Sequence, residues 1–315
     1  MLARVANNLF WMGRYIERAE HIARFMNVNY FSSLDAPHQL SQSRQFVLRS
    51  MLFMVGDPVM DDSLELKEEE VLYNIGLNKD KFYSVLSSIK LARENASSSR
   101  DLISTELFEA LNKFYHFVIN YPTDTYTKTN LYDFTVNVTE MTAVLRGKIR
   151  GTLLHDEVYA IIMLGVNIER AIQITRIVNT KFNDALMAQG SYGDPIGNSY
   201  EWSTLLKCAE SYDMMRRFYK KSPNSTSTLE FLLLNPNCPR SFMNCINQVH
   251  KHILVLDKKV EYEKASTAFQ VGKIRAEFEF KQIEEIQEDI QGSLDLILNK
   301  MFKISESMEK EFFDY

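Results

Sequence analysis

Apolar side chains recur every three to four residues through most of the chain, and proline sets the breaks between these runs. The seven prolines, Pro37, Pro58, Pro122, Pro195, Pro223, Pro236 and Pro239, leave long intervals that read with helical period. The pattern predicts helices over about 5–32, 40–54, 64–75, 82–120 with a break near Ser104, 127–150, 153–187, 200–221, 225–234, 239–256 and 257–312. The stretch TNLYDFTVNVTEM, rich in Thr, Val and Tyr, would also suit a strand; its all-helical surroundings tip it to helix. GSYGDPIGNSYEW (residues 190–202) reads as a surface loop. Its glycines follow a helix rather than a strand, which is the wrong context for a dinucleotide or P-loop cradle. Beyond Leu256, Val260, Ala265, Val271, Ile274, Phe278, Ile283, Ile286, Ile290, Leu294 and Ile297 alternate with charges as one long amphipathic helix. The expected fold is a single all-α domain over residues 1–315, a multi-helix bundle without substantial β-sheet.

Sliding the chain against itself brings residues 9–28 (LFWMGRYIERAEHIARFMNV) onto residues 161–180 (IIMLGVNIERAIQITRIVNT) without a gap. Gly13/Gly165, Ile16/Ile168, Glu17/Glu169, Arg18/Arg170, Ala19/Ala171, Ile22/Ile174, Arg24/Arg176 and Asn27/Asn179 are identical. A fainter echo pairs Asn78, Ser84 and Ile89 with Asn235, Ser241 and Ile246. The chain therefore reads as two related helical halves, about 1–135 and 136–256, followed by the C-terminal helix.

On a helical wheel Arg14, Glu17, His21 and Arg24 share one sector, opposite the apolar face of Trp11, Tyr15, Ala19, Ile22 and Met26. In the first copy that sector could be a solvated stripe. In the second, Ile162, Val166, Ile172 and Ile177 flank Glu169 and Arg176, so the helix is apolar nearly all round and should be buried. A stranded buried charge is very costly, so these groups need partners. Two readings stay open: ion pairs that fix how the halves pack, or a polar cavity offering guanidinium forks to a carboxylate or phosphate. In the second reading Glu17 or Glu169 would serve as a general base.

Composition narrows the classes. Eleven glycines and seven prolines are about half the usual combined share of roughly 12%, against a turn-dense β fold. A net charge of −5, from 36 basic and 41 acidic residues with signs interspersed, argues against a nucleic-acid binder. Cys208, Cys238 and Cys245 have no CxxC spacing and read as reduced thiols of a cytoplasmic protein. Arg4, Arg14, Glu17 and Arg18 interrupt what would be a signal-peptide core, and the most apolar stretch, residues 158–166, is about half a membrane span. None of the six histidines follows a Glu at the spacing of a helical dimetal site, and no G-x-S-x-G elbow occurs. No metal or cofactor is expected.

LARENASSSRDLIS (residues 91–104) puts Arg93, Glu94 and Arg100 on another helix, with Glu17, Glu169 or a ligand as the expected counter-charge for the arginines. In NPNCPRSFMNCI (residues 235–246), Ser241 or Asn237 could cap a helix and Arg240 could point inward or bind an anion. The expected polar cluster comprises Arg14, Glu17, Arg18, Arg24, Arg93, Glu94, Arg100, Glu169, Arg170, Arg176 and Arg240.

Taken in order, LARVANNLFWMGRYIERAEHIARF, LARENASSSRDLIS, GTLLHDEVYAIIMLGVNIERAIQITRI and CPRSFMNC resemble the bacterial alpha-E domain family over residues 2–253. Ile172 stands after the second ERA where that family typically has an acid. The resemblance implies an all-helical protein associated with circularly permuted ATP-grasp ligases, and often with transglutaminase-like peptidases. The role it implies is an accessory, binding component of a system that makes or modifies peptide or amide bonds.

Overall fold

The computed structural model describes residues 2–33, 43–59, 61, 63–127, 130–189, 195–256, 263–264 and 266–313. These residues form helices and no strand. In chain order they are α1 (Ala3–Ser32), α2 (Arg44–Val55), α3 (Glu68–Gly76), α4 (Val85–Ser98), α5 (Thr105–Ile119), the short α6 (Thr123–Tyr126), α7 (Leu131–Thr152), α8 (Glu157–Gln189), α9 (Pro195–Cys208), α10 (Tyr212–Tyr219), α11 (Ser225–Leu233), α12 (Phe242–Leu256), α13 (Thr267–Glu279), α14 (Ile283–Gln287) and α15 (Ile290–Met308).

The two longest helices, α1 and α8, pack against each other, α4 and α7 lie on α1, and α12 lies on α8. Glycine permits the closest approach. A Cβ on Gly13 would strike the carbonyl oxygen of Ile162, and one on Gly165 would strike the carbonyl oxygen of Phe10. With an offset of 152 residues the two collisions exchange the same positions, so the contact is reciprocal. α1 is buried nearly all round: Arg14, Glu17, His21 and Arg24, a solvated stripe in one reading, are interior, whereas Trp11 and Tyr15 are only partly covered.

Side-chain caps set several of the boundaries. Ser84, Ser104, Asn224, Ser266 and Asp289 accept the amide N–H three residues on, and Ser241 accepts from Asn244 at the head of α12. The Thr-rich stretch is helical because Phe134, Val138 and Leu145 supply a buried stripe, and the buried hydroxyls of Thr135 and Thr142 are satisfied by the carbonyls of Leu131 and Val138.

Three boundaries differ from expectation. Residues 195–202, read as loop, begin α9 with Pro195 in its first turn, a position where the missing N–H is not needed; residues 190–194 lie outside the described set. The run 200–221 breaks after Cys208, where Glu210 adopts φ 53°. The helix expected over 257–312 is three helices, because the Gln282–Glu285 capping box and Asp289 each restart the chain. Its apolar stripe survives the breaks: Val271, Ile274, Phe278, Ile283, Ile286, Leu294 and Ile297 are all buried, whereas Val260 and Ala265 lie outside the described residues.

Candidate functional site

The α1–α8 crossing carries two linked ionic centres. In the first, Glu169 is wholly buried and receives Arg14 Nε at 2.8 Å, Arg18 Nε at 2.7 Å, Arg18 Nη2 at 3.1 Å and Gln173 Nε2 at 2.8 Å. Arg14 also lies over the Trp11 ring, 4.4 Å from its centroid. In the second, Glu17 receives Arg170 Nε at 2.6 Å and Arg170 Nη2 at 3.0 Å, with Arg240 Nη1 at 3.2 Å and His21 Nε2 at 3.1 Å from the same oxygen. Glu20, one turn along, holds Arg24, Arg146 and Arg240. Arg24 and Arg240 also reach Glu210. The left-handed turn that ends α9 thus brings a carboxylate to the network, at the roughly 1–2 kcal/mol cost of that backbone conformation in a non-glycine residue.

Burial by itself would raise all three interior carboxyls, and the guanidinium groups overcome it. Arg170, with the His21 hydrogen bond, holds Glu17 well below the usual carboxylate range. Arg24 and Arg240 do the same for Glu20, and Arg18 and Arg14 for Glu169. Burial lowers His21, which stays neutral despite its Glu17 contact. Arg24 is lowered by burial and shares Glu20 with two other arginines. Six guanidinium groups, Arg14, Arg18, Arg24, Arg146, Arg170 and Arg240, face four carboxylates, Glu17, Glu20, Glu169 and Glu210, an excess of two positive charges. The rim reaches solvent at Arg18, Arg146 and Glu210, whose side chains are 17%, 25% and 56% exposed. The cavities of about 540, 390, 280 and 530 Å³ bounded by described residues have none of the three interior carboxylates in their walls.

Each carboxylate of the repeated Glu-Arg pair is clasped by the arginine of the other copy: Glu17 by Arg170, Glu169 by Arg18. These are the two Glu-Arg dipeptides of the chain. The family model that matches residues 1–313 describes a predicted alpha-helical domain with a conserved ER motif. The chain belongs to the Alpha-E family. No curated protein and no solved structure matches it.

Of the residues expected in the cluster, Arg14, Glu17, Arg18, Arg24, Glu169, Arg170 and Arg240 come together in this Alpha-E chain. Four do not. Arg93 is held by Asn112 Oδ1 at 2.6 Å and the Tyr115 ring, both on the neighbouring α5. Glu94 lies 3.9 Å from Lys90 at the surface. Arg100 donates to the Ile103 carbonyl and the Thr105 hydroxyl and sits over the Phe108 ring. Arg176 is lowered by burial and feels Glu169 from a distance, with no hydrogen bond or ion pair to it among the described residues. Glu20, Arg146 and Glu210 complete the network and were not anticipated, although Glu20 lies three residues beyond Glu17 and so on nearly the same face.

The remaining chemistries find no support in the local environments. Cys208 and Cys245 are wholly buried, which pushes both thiols up to about 12, far from the thiolate a nucleophile needs. Among the described residues no group of three or more His, Cys, Asp or Glu side chains could hold a metal ion. The segment Glu157–Met187 is long and apolar enough to cross a membrane, but 89% of its apolar window is buried inside the protein, so core packing accounts for its composition.

Proposed function

We propose that this chain is a non-catalytic helical component of an ATP-grasp-linked system that forms or modifies peptide or amide bonds, acting in the cytoplasm. In this reading the Glu/Arg network locks two related halves together and offers its mixed rim of Arg18, Arg146 and Glu210 to a partner surface. The observation that carries it is the state of Glu17, Glu20 and Glu169: each is enclosed, saturated with donors and held ionised. A general base working near neutral pH needs a pKa near that pH and access to a substrate proton, so the helical-enzyme alternative has little to draw on here. The reciprocal Glu-Arg pairs and the reciprocal glycine contacts support the duplicated-halves reading. So do Asn78 and Asn235, each accepting the amide two residues on, and Ser84 and Ser241, each capping the next helix. The ligase as partner, with a transglutaminase-like peptidase as a further one, rests on the family resemblance.

The test is size-exclusion chromatography with light scattering of this chain mixed with a circularly permuted ATP-grasp ligase from the same source, with and without Mg-ATP. A complex is expected, weakened by Arg146→Gln at the partly exposed rim in a variant whose circular dichroism shows it folded. Separate elution under both conditions would overturn the reading.

A further inference from the structure

The segment GTLLHDEVY (residues 151–159) carries the chain from α7 into α8, and none of its polar residues enters the Glu/Arg network. The start of α8 presents Asp156, Tyr159, Ala160 and Met163, at i, i+3, i+4 and i+7, to one space. The last turns of α12 present Gln248, Lys251, His252 and Val255 to the same space at the same spacing. α12 packs on α8, and between these two faces a cavity of about 280 Å³ stays open, with Arg150 and His155 completing its wall. That volume is at the small end of the range of small-molecule sites. The Tyr159 ring stacks on His155, centroids 4.2 Å apart, and meets His252 edge-on at 5.7 Å.

His252 is only 6% exposed, yet its ring nitrogens make no hydrogen bond among the described residues. Burial, with Lys251 and His155 adding to it, lowers the imidazole to about 4, so near pH 7 the ring is neutral and keeps one N–H to donate. The Gln248 side chain likewise makes no hydrogen bond among the described residues. Arg150 and Lys251 are exposed, and neither side chain has an ion pair or hydrogen bond there. The acceptors in the wall are already engaged. Asp156, the one carboxylate among the lining residues, turns Oδ1 to the amides of Val158 and Tyr159, at 3.0 and 3.4 Å, as the N-cap of α8. His155 Nε2 lies 3.1 Å from the Arg150 carbonyl. The cavity therefore gathers two cations and two neutral donors, none of them matched by an acceptor of the protein.

We propose that this cavity binds a phosphate monoester, with the phosphoryl group held by Arg150, Lys251, His252 and Gln248 and its apolar body against Tyr159, Met163 and Val255. Near pH 7 a phosphoryl group carries roughly two negative charges and three strong acceptor oxygens, which matches two cations and two neutral donors. A carboxylate brings half the charge and fewer acceptors. The guanidinium fork suits phosphate geometry, and charge-assisted hydrogen bonds of this kind are the strong ones. The site is independent of the Glu/Arg network and of any ligase partner.

Isothermal titration of the full chain with phenyl phosphate, benzoate and phenol tests it. Saturable binding of phenyl phosphate is expected, at least about tenfold tighter than that of either other probe. Arg150→Gln and Lys251→Gln, at exposed positions without a partner to lose, should each weaken it by about threefold or more. Lys113→Gln removes an exposed charge of α5 that is not in the cavity wall and should leave the affinity unchanged. In proton NMR the His252 imidazole resonance, assigned through His252→Gln, should move as phenyl phosphate saturates the site. Benzoate or phenol binding as tightly as phenyl phosphate, no saturable binding of phenyl phosphate, full affinity in both Arg150→Gln and Lys251→Gln, an equal loss in Lys113→Gln, or an unmoved His252 resonance at saturation would each overturn the proposal.

Discussion

Arg170→Met removes the guanidinium that holds both oxygens of Glu17, at 2.6 and 3.0 Å, in a pair whose carboxylate is fully buried and whose guanidinium is nearly so. Leaving a buried charge without its partner costs about 3–5 kcal/mol. Arg240 remains 3.2 Å from the same carboxylate and His21 3.1 Å away, so the expected loss is at the lower end, about 3 kcal/mol. Arg176, the repeat counterpart of Arg24, makes no such pair, and Arg176→Met should cost less than about 1 kcal/mol or stabilise the fold, because it replaces a largely buried charge that has no close counter-ion by an apolar side chain. Urea unfolding followed by far-ultraviolet circular dichroism reads the difference: with a slope of about 3 kcal/mol/M, Arg170→Met moves the midpoint down by about 1 M. In a Glu17→Gln background the same substitution should cost only about 1 kcal/mol, because the stranded charge is gone. A loss below about 1 kcal/mol in the wild-type background, or an equal loss for Arg176→Met, would refute the assignment of Arg170 as the neutralising partner.

Other expectations concern the crossing, the acid limb and the thiols. Gly13→Ala and Gly165→Ala should each destabilise by about 1–3 kcal/mol or more, since the added methyl meets backbone rather than a yielding side chain. Gly147→Ala in α7, where a Cβ meets nothing within 4 Å, should be neutral or stabilising by up to about 1 kcal/mol in the same melts. Glu17, Glu20 and Glu169 have folded pKa values below their unfolded ones, so the stability they contribute is in place above about pH 4.3 and is lost as pH falls toward the folded values. Three such groups give a slope of up to about 4 kcal/mol per pH unit below that point; Glu169→Gln should reduce it by about one third, and an unchanged slope would count against the pairing. The three cysteines are buried and should resist a thiol reagent at pH 8 in the native protein, then all react in urea; prompt native reaction would contradict their placement.

What was legible in the sequence follows the range of the forces involved. The repeated Glu-Arg helices were visible because burial of α8 all round left its charges needing partners, and the helical stripe of the Thr-rich α7 was readable once its neighbours were taken as helices. Which arginine meets which carboxylate was not, since Arg146 arrives from α7 and Glu210 from a left-handed turn that no glycine or asparagine marks. Arg93 and Arg100 were misplaced because the neighbouring α5 satisfies both locally, through Asn112, Tyr115, Thr105 and Phe108. The C-terminal breaks were hidden because the buried stripe runs through them, while Gln282 and Asp289 act only through backbone caps.

The central claim is that the Glu-Arg pairs hold the fold rather than move protons. Carboxyl-carbon NMR of the folded chain, with Glu17, Glu20 and Glu169 assigned by single Gln substitutions, tests it most directly across a titration from pH 8 down to acid unfolding. The three resonances should stay at ionised positions until the protein unfolds. A resonance of any of the three titrating above about pH 5 in the folded protein would contradict the account and return that residue to candidacy as an acid or base.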